Sequence, residues 1–586
     1  MLYKELAAVY EKLSSTSKRL EKTFYLSELI KKTDEKDIDK VILLVQGRLF
    51  PTWESAELGV ASKIALKAIS SCSGHSIKEI EEEWKKTGDL GKVAQNLFTK
   101  KKQQSLFAKE LTVEKVFSGL TSISTLEGTG AVEKKVALIS ELLIMAESIE
   151  AKYIIRTVLG DLRVGVGQGS IRDAIVWAFF GEELGISLKE GDIGLSDEKR
   201  IEYNTISSKV SRAFDLTNDF ASVIKTIRQK GISGLDNIGI TLGNPISAML
   251  FIKAKNIEDA FSTVGKPAAF EYKYDGFRIQ IHKSKNDVKL FTRRLEDVTV
   301  QFPEVSEYVK SNVFANCCIL DAEVVGFEKK TGKYMPFQSI SQRIKRKYDV
   351  KRLSEEFPVE VNVFDILFFD DKSLLNEEFL TRRKTIEKII NVVPKKIVIA
   401  KQIITDDIVT AQKFYESALS DGQEGVMAKS LTAAYKPGAR VGYGVKVKPI
   451  MDPLDLVIVK AEYGEGKRSG WLTSFTLACI DKSTDTLLEI GKASTGLKEL
   501  ESEGLSFSQM TEMLLPLITS RNGKSVIIKP SVVIEVLYEE IQKSPTYSSG
   551  YALRFPRISR LRDEKPVDEI STINDIERLY NEQGAR

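Results

Sequence analysis

Near Gly231 the hydrophobic period of this sequence changes, and that change excludes one fold class for the whole chain. Before it, apolar residues cluster at helical spacing: Leu26, Leu29 and Ile30; Val41, Ile42, Leu43, Leu44 and Val45; Leu138, Ile139, Leu142, Leu143 and Met145. After it come short alternating runs: AAFEYKYDGFRIQIHK, VKLFTRR, CCILDAEVVGF, VEVNVFDILFF, EGVMAKS and GYGVKVKP. Helix and strand repeat their faces differently, so each side must bury its own apolar surface. The joint, GISGLDNIGITLGNP, holds four glycines and a proline and reads as a linker.

A second break falls at Pro449–Pro453. Beyond it, LDLVIVKAEYG, WLTSFTLACI, TLLEIGKAST and SVVIEVLYEEI read as strands of a small β-barrel, and STINDIERLYNEQ as a closing helix. An amphipathic helix is expected from Glu377 to Ile390 within the middle part. A chain of 586 residues exceeds what one core serves. The expectation is three domains: all-α over 1–235, α+β over 236–449, and a β-barrel over 450–586.

Composition narrows the function classes. No apolar run reaches bilayer length, and MLYKELAAVYEKL lacks the apolar centre of a signal peptide, so a cytoplasmic protein without a membrane partner is expected. The 86 basic and 82 acidic residues are too balanced to establish nucleic-acid binding by themselves. Cys72, Cys317, Cys318 and Cys479 form no C-x-x-C pair, which argues against a zinc site or a disulfide framework. With only His75 and His282 present, histidine chemistry is a poor place to look.

The chemistry gathers around EYKYDGFR, residues 271–278. On a strand, Glu271 and Lys273 share a face, and the Asp-Gly pair then turns the chain, leaving the lysine at a pocket mouth. A lysine amine becomes a nucleophile when burial and nearby cations favour its neutral form. Taken alone, K-x-D-G is short enough to be an ordinary turn. Further pieces come in order: LDAEVVGF sets Asp321 and Glu323 on one strand face, FDILFF offers Phe364, and EGVMAKS offers Glu424 and Lys429. YKPGAR then presents Arg440, and VKVKP sets Lys446 and Lys448 on one face. Each has a plainer reading: a solvated carboxylate, a core ring, a protected sheet edge.

Order and spacing together resemble the covalent nucleotidyltransferase superfamily, and most closely the replicative ATP-dependent DNA ligases of archaea and eukaryotes. The resemblance spans essentially the whole chain. LRVGVGQGSIRDAI, residues 162–175, is similar to that family's helical DNA-binding signature, and RFPRISRLRDEKP, residues 554–566, to its final barrel motif.

The resemblance implies a helical DNA-binding domain, an α+β adenylation domain and an OB-fold barrel. It implies that Lys273 carries AMP, Glu271 reads the adenine amino group, Phe364 stacks on the base and Arg278 holds the ribose region. Arg293 would lie near phosphate, with Arg294 beside it as the rival. Glu323 would contact ribose or help hold a metal, and Glu424 would be a metal ligand. Arg440, Lys446 and Lys448 would neutralise phosphate, and Arg557, Arg560, Arg562 and Lys565 would reach pyrophosphate when the barrel closes. Asp275 would order the turn. ATP would be the co-substrate and Mg2+ the metal, since hard oxygen ligands suit it. Nicked double-stranded DNA would be the partner, in replication, repair and recombination, with the chain acting as a monomer. Gly165, Gly167 and Gly169 would let main chain approach DNA closely, or else only punctuate a helix–loop–helix.

One departure concerns the residue before the paired lysines, where the family usually has tryptophan or another bulky side chain. Tyr443, Gly444 and Val445 stand there instead. Within KKQQSLFAKEL, Gln103, Leu106 and Phe107 resemble a short sliding-clamp motif that lacks its second aromatic; an ordinary surface loop is the alternative. A capping guanylyltransferase or RNA ligase would use the same lysine but not the large helical domain. An NAD-dependent ligase would need zinc-binding cysteines. A DNA-end scaffold without catalysis would not need the intact charged set.

Overall fold

The computed structural model describes residues 1–54, 56–99, 110–188, 194–346, 348–449, 451–464, 468 and 470–584. The clamp-like residues Gln103, Leu106 and Phe107 lie outside the described residues.

From Tyr3–Ser15 to Phe220–Lys230 the described chain forms helices, with boundaries written in local chemistry. Ser76 opens Ile77–Thr87 by accepting from Glu79 N–H while the Glu79 carboxylate accepts from Ser76 N–H at 2.8 Å. Gly88, at φ 65°, closes it in the left-handed region that glycine enters without strain. The apolar faces meet in one core that includes Tyr3, Tyr10 and Tyr153. Inside it, Arg156 donates to Asp89 at 2.5 Å and ties Ser148–Val158 to the start of Leu90–Thr99.

The GISGLDNIGITLGNP linker is held at its far end. Asn218, at φ 52°, donates through Nδ2 to Pro245 O at 2.7 Å and accepts from Ser247 Oγ at 2.9 Å. Leu216, Ile246, Met249, Ile319, Leu367 and Val441 form a small apolar cluster joining the helical part to the middle part of the chain.

The middle part holds eleven strands among the described residues: β1 Leu250–Ala254, β2 Ala268–Lys273, β3 Phe277–Ser284, β4 Asp287–Thr292, β5 Cys317–Gly326, β6 Val359–Phe369, β7 Lys372–Ser373, β8 Ile397–Ile399, β9 Gln402–Thr405, β10 Gly425–Ser430 and β11 Arg440–Val447. They form two sheets, β1-β11-β10-β2-β9 and β4-β3-β5-β6-β7 with β8 on β6. Each has its own apolar core. The expected helix runs Phe379–Ile389. The β2–β3 turn carries the chain from one sheet to the other, so residues on either side of it look into the space between sheets.

The last part is strand-rich: β12 Leu454–Tyr463, β13 Leu472–Asp481, β14 Thr486–Ala493, β15 Ile518–Asn522, β16 Ser525–Ile528, β17 Val533–Leu537, β18 Glu540–Lys543, β19 Tyr551–Arg554 and β20 Arg557–Leu561. Pairing runs β14-β13-β12-β16-β15, with β17 joining β12 to β20 and β18 pairing β19; among the described residues it does not close into a ring. The closing helix is Ile573–Gly584. All four cysteines carry free thiols. No described helix is long and apolar enough to cross a membrane.

Candidate active site

β2 is buried along its length except at its end, where Lys273 emerges. Its antiparallel partner β10 sets Gly425 opposite Lys273 and Met427 opposite Glu271, and Glu424 N–H donates to Lys273 O at 2.9 Å. Glu424 is thereby placed beside the lysine amine, and the Lys273 Nζ ion-pairs with its Oε2. Lys448 Nζ, just beyond β11, pairs with the same oxygen. Burial alone would raise the Glu424 carboxyl, but Lys273 and Lys448 hold it well below the usual carboxylate range. Lys446 faces the same group of cations. Burial, Lys448, Lys273 and Arg293 together lower its affinity for a proton.

The turn after Lys273 depends on Gly276. A Cβ there would stand 2.4 Å from the carbonyl oxygen of Val324 on β5. Asp275 braces the turn: its N–H donates to Gln423 Oε1 at 3.1 Å, and its Oδ2 accepts from Phe337 N–H at 3.3 Å. Burial, with Glu424 and Glu540 nearby, pushes its carboxyl up to about 6.

On the facing sheet, β3 and β5 put Arg278 opposite Glu323. The Arg278 guanidinium is turned to Asp321, donating from Nε at 3.3 Å and Nη2 at 2.5 Å, and also to Tyr435 Oη at 2.9 Å and Met249 O at 3.0 Å. It lies 5.4 Å from the ring centre of Phe364 on β6. The Glu323 carboxyl, by contrast, makes no hydrogen bond or ion pair among the described residues. Burial raises its carboxyl to about 7; Lys273 and Arg278 oppose the rise, and Glu424 and Asp275 add to it.

Glu271 is 2 % exposed, a carboxylate sealed into a strand. Lys429 on β10 lies 2.5 Å from its Oε2, and Arg383 and Gln402 reach its Oε1. Lys429 also sits 5.0 Å from the Phe364 ring. Glu271, Phe364 and Lys429 thus form one end of the cleft, with Lys273, Glu424, Glu323, Lys446 and Lys448 at the other.

The remaining residues from the sequence reading sit differently. Arg293, Arg294 and Arg440 are exposed. Arg560 pairs with Glu535 at 3.0 Å, Arg562 with Asp455 at 2.8 Å and Lys565 with Asp455 at 2.7 Å, all within the last part of the chain. Arg557 is exposed at the start of β20. What that part turns toward the cleft is another edge: Glu539 lies 3.4 Å from Lys448, and Arg554 feels the charges of Glu424 and Asp275.

Sequence reasoning missed Asp321 as the arginine's partner, as well as Tyr435, Arg383, Gln402, Glu539 and Arg554. Asp321, Tyr435, Glu539 and Arg554 stood inside the quoted LDAEVVGF, YKPGAR, SVVIEVLYEEI and RFPRISRLRDEKP, and Arg383 inside the expected helix, but nothing in those runs marked them as partners of the site; Gln402 carried no local signal. In the helical part, the segment before Gln168–Phe180 has Gly165 at φ 61° against Lys22, whereas a Cβ at Gly167 would meet no described atom within 4 Å.

Residues 248–448 match the family model described as ATP dependent DNA ligase domain, residues 2–176 that of DNA ligase N terminus, and residues 468–565 that of ATP dependent DNA ligase C terminal region. A DNA ligase of Nanoarchaeum equitans is 44% identical over 585 residues, spanning 100% of this chain and 99% of that protein. One of Archaeoglobus fulgidus is 41% identical over 584 residues, with 100% and 99% covered. A solved structure designated Pmar-Lig_Pre shares the fold, with a TM-score of 0.53 at 15% identity over 95% of this chain and 99% of that one.

Proposed function

The chain belongs to the ATP-dependent DNA ligase family, and from that premise we infer that the cleft around Lys273 is where AMP is taken up and handed to a nick in duplex DNA. The observation that carries the assignment to this cleft is the sharing of Glu424 by Lys273 and Lys448, opposite a Glu323 carboxylate with no partner among the described residues.

The reaction is phosphoryl chemistry, in which positioning and charge neutralisation supply most of the acceleration. Lys273, having given up its proton, attacks the α-phosphate of ATP; a P–N bond forms and pyrophosphate leaves. The 5′-phosphate at the nick then attacks the same phosphorus and frees the lysine. Finally the 3′-hydroxyl attacks the 5′-phosphate and AMP departs. Lys446, Lys448, Arg293 and Arg440 would meet phosphate charge, while Glu271 and Phe364 would bind the base and Arg278 the ribose side. Arg557, Arg560, Arg562 and Lys565 would act after the last part swings over the cleft, which requires Arg560 to leave Glu535 and Arg562 and Lys565 to leave Asp455.

The donor set fits a hard divalent cation. Glu323 and Glu424 are close enough to raise the proton affinity of Glu323, a repulsion that Mg2+ would relieve. Among the described residues no three His, Cys, Asp or Glu side chains gather as a metal cage, so such an ion would share these carboxylates with phosphate oxygens. It would supply charge stabilisation on those oxygens.

We further propose domains over 1–235, 236–449 and 450–586, with the last an OB-fold barrel. The loop at Gly165, Gly167 and Gly169 would approach DNA, which the open space at Gly167 supports. Docking of Gln103, Leu106 and Phe107 on a sliding clamp, a monomeric state and a cytoplasmic location complete the proposal.

Intact-protein mass spectrometry with ATP, NAD or GTP alone tests the core of it. An AMP adduct is expected with ATP and is expected to vanish in Lys273→Ala. A protein that seals nicks yet never shows an adduct contradicts the mechanism.

A further inference from the structure

The base end of the cleft is braced by two consecutive arginines. Arg382 clasps Asp365, with Nε 2.7 Å from Oδ1 and Nη2 3.1 Å from Oδ2, and Asp365 directly follows Phe364 on β6. Arg383 reaches Glu271 on β2 in the other sheet, 3.5 Å from Nη1 to Oε1. One turn of Phe379–Ile389 therefore fastens the strand bearing the stacking ring and the strand bearing the buried carboxylate. Arg383 is itself anchored, donating to Ala400 O at 3.0 Å and to Glu387 Oε1 at 3.0 Å. A planar fork fixed at three points cannot swivel as an ammonium can.

The pattern of bonds at Glu271 is asymmetric. Oε1 accepts from Arg383 and from Gln402 Nε2 at 2.9 Å, while among the described residues Oε2 meets Lys429 alone. A carboxylate oxygen has two lone-pair directions. Oε1 is therefore filled and Oε2 keeps one direction open.

We propose that Arg383 is a specificity-determining positioning residue: it pins Oε1 so that the open lone pair of Oε2 faces the exocyclic amino group of the purine. The proposal rests on the reading of Glu271 as the base reader. The pinned carboxylate accepts from an amino group and repels the carbonyl oxygen that guanine carries at that place. Charge neutralisation alone does not account for Arg383, because Lys429 already stands 2.5 Å from the same carboxylate.

The test is formation of the Lys273 adduct with ATP and with purine riboside triphosphate, which lacks the amino group, in wild type and Arg383→Met. Wild type is expected to favour ATP. In Arg383→Met that preference, as the ratio of kcat/KM values, is expected to fall by about tenfold or more, the scale of a hydrogen bond to a charged group, while the analogue is used as before. An equal loss for both nucleotides overturns the proposal. Wild type that does not distinguish the two removes the reading of Glu271, and the proposal with it. Should Arg383→Met fail to fold, Arg383→Lys keeps the charge without the fork. Its preference is expected to narrow in the same direction, and an unchanged ratio overturns the positioning role.

Discussion

Replacing Glu323 with glutamine keeps the side chain's shape and removes its charge, and the structure gives the consequence a sign and a size. Burial raises this carboxyl from 4.5 to about 7, with Lys273 and Arg278 pulling against the rise and Glu424 and Asp275 adding to it. Between those values the folded chain holds a proton that the unfolded chain has lost, so stability falls as pH rises through the window. At about 1.36 kcal/mol per pKa unit, the gap costs about 3 kcal/mol once pH exceeds 7, and under about 1 kcal/mol at pH 5. Glutamine escapes that cost. In a region of roughly 150–250 residues, about 3 kcal/mol moves a melting temperature by about 6–12 °C. Thermal melts of wild type and Glu323→Gln at pH 5 and pH 8, without magnesium, are expected to coincide within a few degrees at pH 5. At pH 8 the variant is expected to melt clearly higher. Adding magnesium at pH 8 is expected to narrow the gap by stabilising wild type, while the variant forms the AMP adduct more slowly. A gap equal at both pH values, or a variant less stable at pH 8, refutes the reasoning.

Three other perturbations have defined outcomes. Gly276→Ala forces a methyl group to within 2.4 Å of the Val324 carbonyl oxygen, so the turn after Lys273 must move; overpacking of about 1–3 kcal/mol is expected, with adduct formation slowed more than DNA binding is weakened. Glu539→Gln releases Lys448 from a half-exposed competitor at 3.4 Å, and since such exposed pairs are worth about 0.2–1 kcal/mol, KM for ATP is expected to fall by about 1.4- to 5-fold; a rise in KM contradicts this. Removing residues 1–230 takes away no partner of Lys273, Glu271 or Glu424, so the adduct is expected to form while affinity for nicked DNA, read by gel shift, drops by about tenfold or more; unchanged DNA affinity would count against the helical part as the DNA holder.

The cleft's residues were legible because strands convert spacing into a shared face. Glu271 with Lys273, Asp321 with Glu323, and Lys446 with Lys448 each stand two apart on one strand or at its end. The helix at Phe379–Ile389 was legible from its period, within two residues of expectation at each end. What spacing cannot show is a partner brought from elsewhere. Arg383 meets Glu271 from 112 positions away, and Arg278 turns to Asp321 although Glu323 is its neighbour across the ladder. The runs of strand were read as a barrel, yet among the described residues their pairing does not close into a ring, because pairing is decided by registers that no single run encodes.

Glu424 is the counter-ion of two amines at once, and the proposed chemistry changes one of them. When the amine at position 273 gives up its proton and bonds to phosphorus, it is no longer a cation and its claim on the carboxylate lapses. Among the described residues Lys448 then remains its partner, and the oxygen that had kept the nucleophile in place would be freer to serve a divalent ion. A single side chain can thus be a resting partner in one step and a ligand in the next, with the reaction itself as the signal for the handover and no separate trigger needed.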